Sequence, residues 1–386
     1  MSILKYYNPV IEIGEYVAVI TGAPGFGTTT TSGNFIPPGY YNQSDYPKLF
    51  DTIGFQEGFM ATPRTSGASG AIGTVFYANG LYVLGSESAS LRTSTDAITW
   101  TTRTGNGWAI RSLGYGHGLY LFGEQIGGIL TSTNGTTWTA RTSNLSGSVN
   151  GIVYNDGLFV AVSAQPNIST STNGTTWTTR SVPAGTNALN AVTYGNGLYL
   201  ASGNGGSLIT STDGTTWTAR TSGTTSTISA VTYGNGLYVY GGSGGALATS
   251  TNGTDWTTRS FTFTTARIYS LIYNNGLYVA GTDFGTINTS TNAIDWPTRL
   301  NLSGTVSTFS SVTYGNGLYV FAGVAPGSVS ALYTSTTAIQ IEYSPNYSLA
   351  TQFSVPAPST NAAISLTFSN TAGFSFAQTT FYMRAK

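Results

Sequence analysis

The chain has 386 residues, 14 basic and 14 acidic side chains, and no cysteine. Only 7% of it is charged, against roughly a quarter in an average globular protein. No basic stripe or membrane-length apolar run occurs, so nucleic-acid binding and membrane insertion are not expected, and disulfides and thiolate metal sites are excluded.

The high Gly, Ser and Thr content is compatible with disorder, but 13% aromatic residues leave plenty to bury. Met1 to Tyr7 carry no apolar signal region, so no secretory leader is expected.

Residues 1–58 contain no repeat. They hold Glu12-Ile13-Gly14-Glu15-Tyr16-Val17-Ala18, then Pro37-Pro38-Gly39-Tyr40, then Tyr46-Pro47-Lys48-Leu49-Phe50-Asp51-Thr52-Ile53-Gly54.

From about residue 60 to 341 one phrase recurs at a spacing of about 39 residues, the mark of a propeller, solenoid or array. Its first Tyr falls at Tyr77, Tyr115, Tyr154, Tyr194, Tyr233, Tyr273 and Tyr314. A later Trp falls at Trp100, Trp138, Trp177, Trp217, Trp256 and Trp296, so of the tryptophans only Trp108 is outside the register.

One copy shows the local logic. Ala191-Val192-Thr193-Tyr194 alternates like a half-buried strand. Gly195-Asn196-Gly197 is a hairpin turn, since Asn and Gly tolerate positive φ. Leu198–Ala201 returns, Ser202–Ser207 turns, Leu208–Ser211 is a third strand and Trp217–Arg220 a fourth. Four antiparallel strands per repeat make one propeller blade. Seven phrases predict an all-β, seven-bladed propeller spanning 59–344.

The third turn, as in Ser211-Thr212-Asp213-Gly214-Thr215-Thr216-Trp217, resembles the Asp-box of sialidase-type propellers. Copies stand at Ser94, Ser132, Ser171, Ser211, Ser250 and Ser290, with Ala-Ile replacing Gly and the next residue in the first and last. The resemblance implies a structural role, the Asp or Asn capping its own turn and the Trp packing between blades.

The seventh copy is defective, with Ile341 at the Trp position and no Arg after it. The missing Arg stands one period before Arg103, as Arg64. Residues near 59–66 are therefore expected to supply the outer strand of the last blade and close the ring, hiding two edges. The periodic arginines, Arg64 among them, are expected to be structural and to bond the next turn.

Residues 345–386 again lack the repeat. Ala362–Phe368 alternates like a strand, and the chain ends Thr380-Phe381-Tyr382-Met383-Arg384-Ala385-Lys386. With Tyr46–Gly54 and Pro37–Tyr40, this end resembles the phage tail-collar, or short-tail-fibre, domain. The usual Cys-Asp-Gly is replaced by Tyr41-Asn42-Gln43, and a Pro-Asp-Leu-Arg-Gly-Arg segment is missing where the propeller enters at Ala61. The resemblance implies a small α+β base made by 1–58 and 345–386. Leu49, Phe50, Ile53, Phe55 and Phe59 would pack its short helix on the C-terminal strands. The base would attach to the particle and oligomerise, read as a trimer.

Chemistry is sparse. A glycosidase needs two carboxylates across a cleft. The propeller carboxylates free of turn roles are Glu87, Glu124 and Asp283, all in the loops after a second strand. His117 replaces a hairpin Asn and reads as an exposed turn residue. Neither catalysis, metal nor cofactor is expected. Binding is expected where blades depart from the repeat: Trp108 to Arg111, Gln165 to Asn167, Phe261 to Phe263 with Arg267 to Tyr269, and Val324 to Ser328. Trp108, Arg111 and Tyr269 are the candidate ligand-binding residues, because an exposed aromatic beside polar groups suits a sugar.

Together these point to a phage virion adhesin displaying its propeller to a host surface glycan or protein. The alternatives are a capsid fibre or decoration protein without a specific ligand, and a secreted glycan-active enzyme.

Overall fold

Alternating apolar residues and Asn-Gly turns drive each repeat into four antiparallel strands. In blade 4 these are Leu189–Gly195, Leu198–Gly203, Leu208–Ser211 and Thr218–Ala219, paired in sequence order. The computed structural model describes residues 61–335 apart from 262–264, together with short strands at Gly39–Asn42, Gln352–Val355, Thr360–Ala362 and Met383–Ala385. It contains seven such four-stranded sheets. The inner strands of the other blades are Ile72–Ala78, Ile110–Gly116, Val149–Asn155, Ile228–Gly234, Ile268–Asn274 and Thr308–Gly315, for blades 1, 2, 3, 5, 6 and 7.

By its contacts the chain divides into two units, 58–339 and a second made from 1–57 and 340–386. In the second unit Gly39–Asn42 pairs antiparallel with Gln352–Val355, and Thr360–Ala362 with Met383–Ala385. The expected base helix at 46–54 lies outside the described residues, as does most of the strand expected at 362–368.

The propeller core is divided into seams. Each of seven apolar clusters joins two consecutive blades, as Val83 and Leu91 of blade 1 meet Ile110, Tyr120 and Phe122 of blade 2. The last seam joins Val320, Ala322 and Leu332 of blade 7 to Ile72, Tyr82 and Leu84 of blade 1. The repeat Trp residues sit in these seams, Trp177 against Leu121 and Phe159.

Tyrosines bond the same seams. In all seven blades the first Tyr of the phrase packs on the aromatic five residues later, with ring centroids 4.4 to 4.7 Å apart. The second aromatic then reaches into the preceding blade. Tyr82 donates to the Gly315 carbonyl at 2.5 Å, Tyr120 to Ala78 at 2.9 Å and Tyr199 to Asn155 at 3.1 Å. Tyr238 and Tyr278 donate likewise to Gly195 and Gly234. Burial raises the Tyr238 and Tyr278 hydroxyls to about 12. Blade 3 has Phe159 at this place and cannot donate.

The ring closes as the sequence predicts. Thr62–Pro63 pairs antiparallel with the third strand of blade 7, Val329–Ser335. Arg64 adds a backbone bond to Leu332 and an Nε bond to Thr334 at 2.8 Å. That bond is the repeat arginines' role. Arg103, Arg141, Arg180, Arg220 and Arg259 donate from Nε to Thr93, Thr131, Thr170, Thr210 and Thr249 at 2.8 to 3.0 Å. The expected bond to the next turn is thus replaced by one inside the blade. The reason is register: the Thr is the diagonal same-face neighbour on the third strand.

The Ser-x-Asp/Asn turns cap themselves. Asp213 accepts from the Thr215 and Thr216 amides at 2.8 Å, and Trp217 Nε1 donates to Gly214 at 3.1 Å. The same amide bonds hold Asp96 well down, at about 2, and lower Asp213 further. Ala97 and Ala293 take the glycine place with φ near 59° and 58°. His117 is exposed at φ 49°, the conformation of its Asn counterparts.

Two stability predictions follow from this scaffold. Phe159→Tyr should donate to the Gly116 carbonyl and stabilise by about 1 kcal/mol, while Tyr82→Phe should cost about 1–2 kcal/mol, both read by urea unfolding. Carboxylates with lowered folded pKa support the fold above their unfolded value and lose that support as pH falls through the folded one. Replacing Asp96 and Asp213 by Asn, as in the sister turns, should therefore flatten the fall in melting temperature between about pH 4 and 2.

Candidate functional site

Strand direction sorts the loops. The Asn-Gly hairpins and Ser-x-Asp/Asn turns lie on one face of the ring. The loops after each second and fourth strand lie on the other, here the loop face. The chain enters at Thr62 and leaves after Ser335, and Thr62 is the register partner of Thr334. Both connections therefore lie at the hairpin face, and the loop face carries neither.

At the loop face every blade repeats one irregularity. The pairing of the first two strands skips one residue, as between Leu189 and Ala191. The extra residues are Gly73, Arg111, Asn150, Asn190, Ser229, Tyr269 and Ser310. A bulge re-aims its side chain and is common beside binding sites. The scaffold around the bulge is constant, while the residue at it varies among Gly, Arg, Asn, Ser and Tyr.

These side chains stitch neighbouring blades. Asn150 donates to the Leu189 carbonyl at 2.9 Å, Asn190 to Ile228 at 3.1 Å and Ser310 to Ile72 at 2.5 Å. Arg111 reaches back to Glu87 at 2.7 Å, the ion pair found among the described residues. Arg267 donates from Nε to Ser229 at 2.9 Å, and its guanidinium lies 4.6 Å above the Tyr269 ring.

The three candidate residues all lie on this face but do not form one cluster. Trp108 precedes the blade 2 inner strand and is 47% exposed. Arg111 follows it on the same blade. Tyr269 belongs to blade 6, which does not adjoin blade 2. Gln165, with its Ser163–Asn167 loop, and the Val324 loop also lie here, whereas Phe261 is buried against Trp296. Thr262 and Phe263 lie outside the described residues.

The three loop carboxylates have separate fates. Glu87 is paired with Arg111. Asp283 accepts from the Arg267 amide at 2.7 Å. Glu124 is 1% exposed. Its Oε1 has no partner, and Oε2 meets only the Asn106 amide at 3.5 Å. Burial pushes its carboxyl up. Ser86 and Ser163 take its place in blades 1 and 3 and cap the following loop. Among the described residues no three His, Asp or Glu side chains gather to hold a metal.

The sequence reading missed Asn150, Asn190, Ser229 and Ser310. Their signal was there: they are the variable position one place after the first apolar residue of each inner strand. It was unreadable without knowing that this position bulges.

Residues 146–230 match the DUF6242 beta propeller domain. No curated protein matches the chain. The fold is similar to YCF48 bound to D1 peptide, with 16% identity and a TM-score of 0.59 over 72% of this chain and 97% of that one. It is also similar to YCF48 from Cyanidioschyzon merolae, at 14% identity and a TM-score of 0.55 over 72% and 98%. The RRP9 WD40 repeats match at 11% identity and a TM-score of 0.58 over 71% and 98%. These likenesses define the class, an all-β seven-bladed propeller with four-stranded blades.

Glu124→Gln tests the orphan carboxyl. A carboxyl with raised folded pKa favours the fold below its unfolded value and loses that contribution as pH rises through the folded one. The variant should melt higher than the wild type at pH 8, with the gap closing toward pH 4 in a thermal-melt series.

Proposed function

We propose that the protein is a bacteriophage virion component, a tail-fibre or spike-like adhesin whose propeller presents its loop face to a host surface glycan. The observation that carries the reading is the ring of seven bulges, which places five residue types, Gly, Arg, Asn, Ser and Tyr, at one position on the face that carries no chain connection. Constant geometry with variable side chains is how a scaffold holds a binding surface.

The likeness of Tyr46–Gly54 and the C-terminal segment to the tail-collar domain supports placement on a virion. It also supports an oligomeric base, read as a trimer, made by 1–58 and 345–386. The Ser-x-Asp/Asn turns support kinship with Asp-box propellers, in a structural capacity. The reading is non-catalytic: Glu87 and Asp283 are both engaged, and Glu124 is closed off from solvent.

The Arg111–Glu87 pair and the Asn bonds also suit a second reading, a capsid fibre or decoration protein whose propeller is a spacer. YCF48 is bound to a peptide in its solved structure, so a protein receptor is the other ligand class to test.

Light scattering separates these parts. The full chain should run as an oligomer and the 58–339 propeller as a monomer that retains binding to host cells. A monomeric full chain would remove the collar-like base from the reading. An oligomer that binds no cell surface would favour the decoration protein.

A further inference from the structure

Phe284 sits in a conformation that phenylalanine rarely adopts. Its φ is 75°, in the left-handed region that glycine takes freely. The loop after the second strand has the same length in blades 4, 5 and 6. Counted from the pairs Leu189–Gly203, Ile228–Gly242 and Ile268–Thr282, Phe284 occupies the place of Gly205 and Gly244. Those glycines have φ of 60° and 66°. Blade 6 thus keeps the loop and puts a large aromatic where its neighbours have none.

Core packing does not account for the exchange, because Phe284 is 52% exposed. The loop is held firmly in its strained shape. Phe284 N donates to the Ser307 carbonyl at 2.9 Å, Asp283 bridges to Thr308, and a Cβ on Gly285 would collide with the Val306 carbonyl. Strain of this kind, held by its surroundings, concentrates at functional sites.

The surroundings suit one chemistry. Ser307 in turn donates to the Val324 carbonyl, and Val324 belongs to the hairpin that carries Val329, which is 57% exposed. Asp283 accepts from the Arg267 main-chain amide, while the Arg267 guanidinium bonds Ser229 and covers the Tyr269 ring, so one charge of each sign stands here and their sum is zero. Exposed Ser307 and Thr305 supply hydroxyls. A single exposed aromatic on a segment that also carries hydroxyls and no net charge suits a neutral sugar ring. It is too small for an apolar helix and too neutral for an acidic polymer.

We infer that Phe284 is the stacking platform of a neutral-carbohydrate site at the junction of blades 6 and 7, with Asp283, Arg267 and Ser307 as its polar edge. The inference rests on the receptor-binding reading and gives it a site and a ligand class.

The test compares the full-length wild type with Phe284→Gly and Phe284→Tyr. The array carries neutral oligosaccharides of hexose and N-acetylhexosamine beside sialylated and uronic-acid ones. Thermal melting and host-cell binding are measured alongside. Phe284→Gly relieves the backbone, so its melting temperature should rise by about a few degrees. Its binding to the neutral sugars should fall at least about tenfold, while Phe284→Tyr binds like the wild type. Wild-type and Phe284→Gly proteins binding neutral sugars equally would overturn the site. Cell binding with retention only on acidic sugars, or on none, would overturn the ligand class and leave the receptor reading standing. No binding to cells or sugars would overturn both.

Discussion

The structure depends on the apolar seam between consecutive blades. A four-stranded sheet of this size has two faces to cover and cannot do so alone. Each seam solves half of the problem for two blades. The solution is complete only when blade 7 meets blade 1 through Val320, Ala322, Ile72 and Leu84. Seven identical problems therefore have one joint answer, a closed ring. The tyrosine bonds from six of the blades to the end of the preceding blade's inner strand fix how far those sheets rotate against their neighbours, because a directional bond tolerates little displacement.

Ring closure also explains the odd arrangement of the ends. The outer strand of blade 7 comes from Thr62–Pro63, and Arg64 repeats the in-blade bond of its sister arginines. Both connections of the propeller consequently fall at one edge of one face. The other face is left to the loops, where chain length and residue type can vary without disturbing the seams.

That division of labour shapes the candidate site. The bulge is part of the scaffold and recurs in all seven blades. The side chain it aims is not part of the apolar seam, so Gly, Arg, Asn, Ser and Tyr all appear. Loop residues carry a further layer of departures. Glu124 is buried where blades 1 and 3 have serine, and Phe284 is strained where blades 4 and 5 have glycine. Both break the local rule, and both lie on the face without chain connections.

The repeat by itself determined the blade count, the strand order, the turn chemistry and the shared closure of the last blade. These follow from short-range periodicity and from one displaced Arg, and Arg64 could be placed because its register was already set by six copies. The partner of that Arg was not legible, since a diagonal neighbour depends on strand register, and the reading that it bonded the next turn was wrong. Nor could the sequence say which polar residues share a face, that Arg111 would be taken by Glu87, or that Tyr269 would stand apart from Trp108. Those outcomes depend on where a bulge falls and on the order of blades around the ring. Only tertiary packing sets either, because both join residues about one repeat or more apart in the chain.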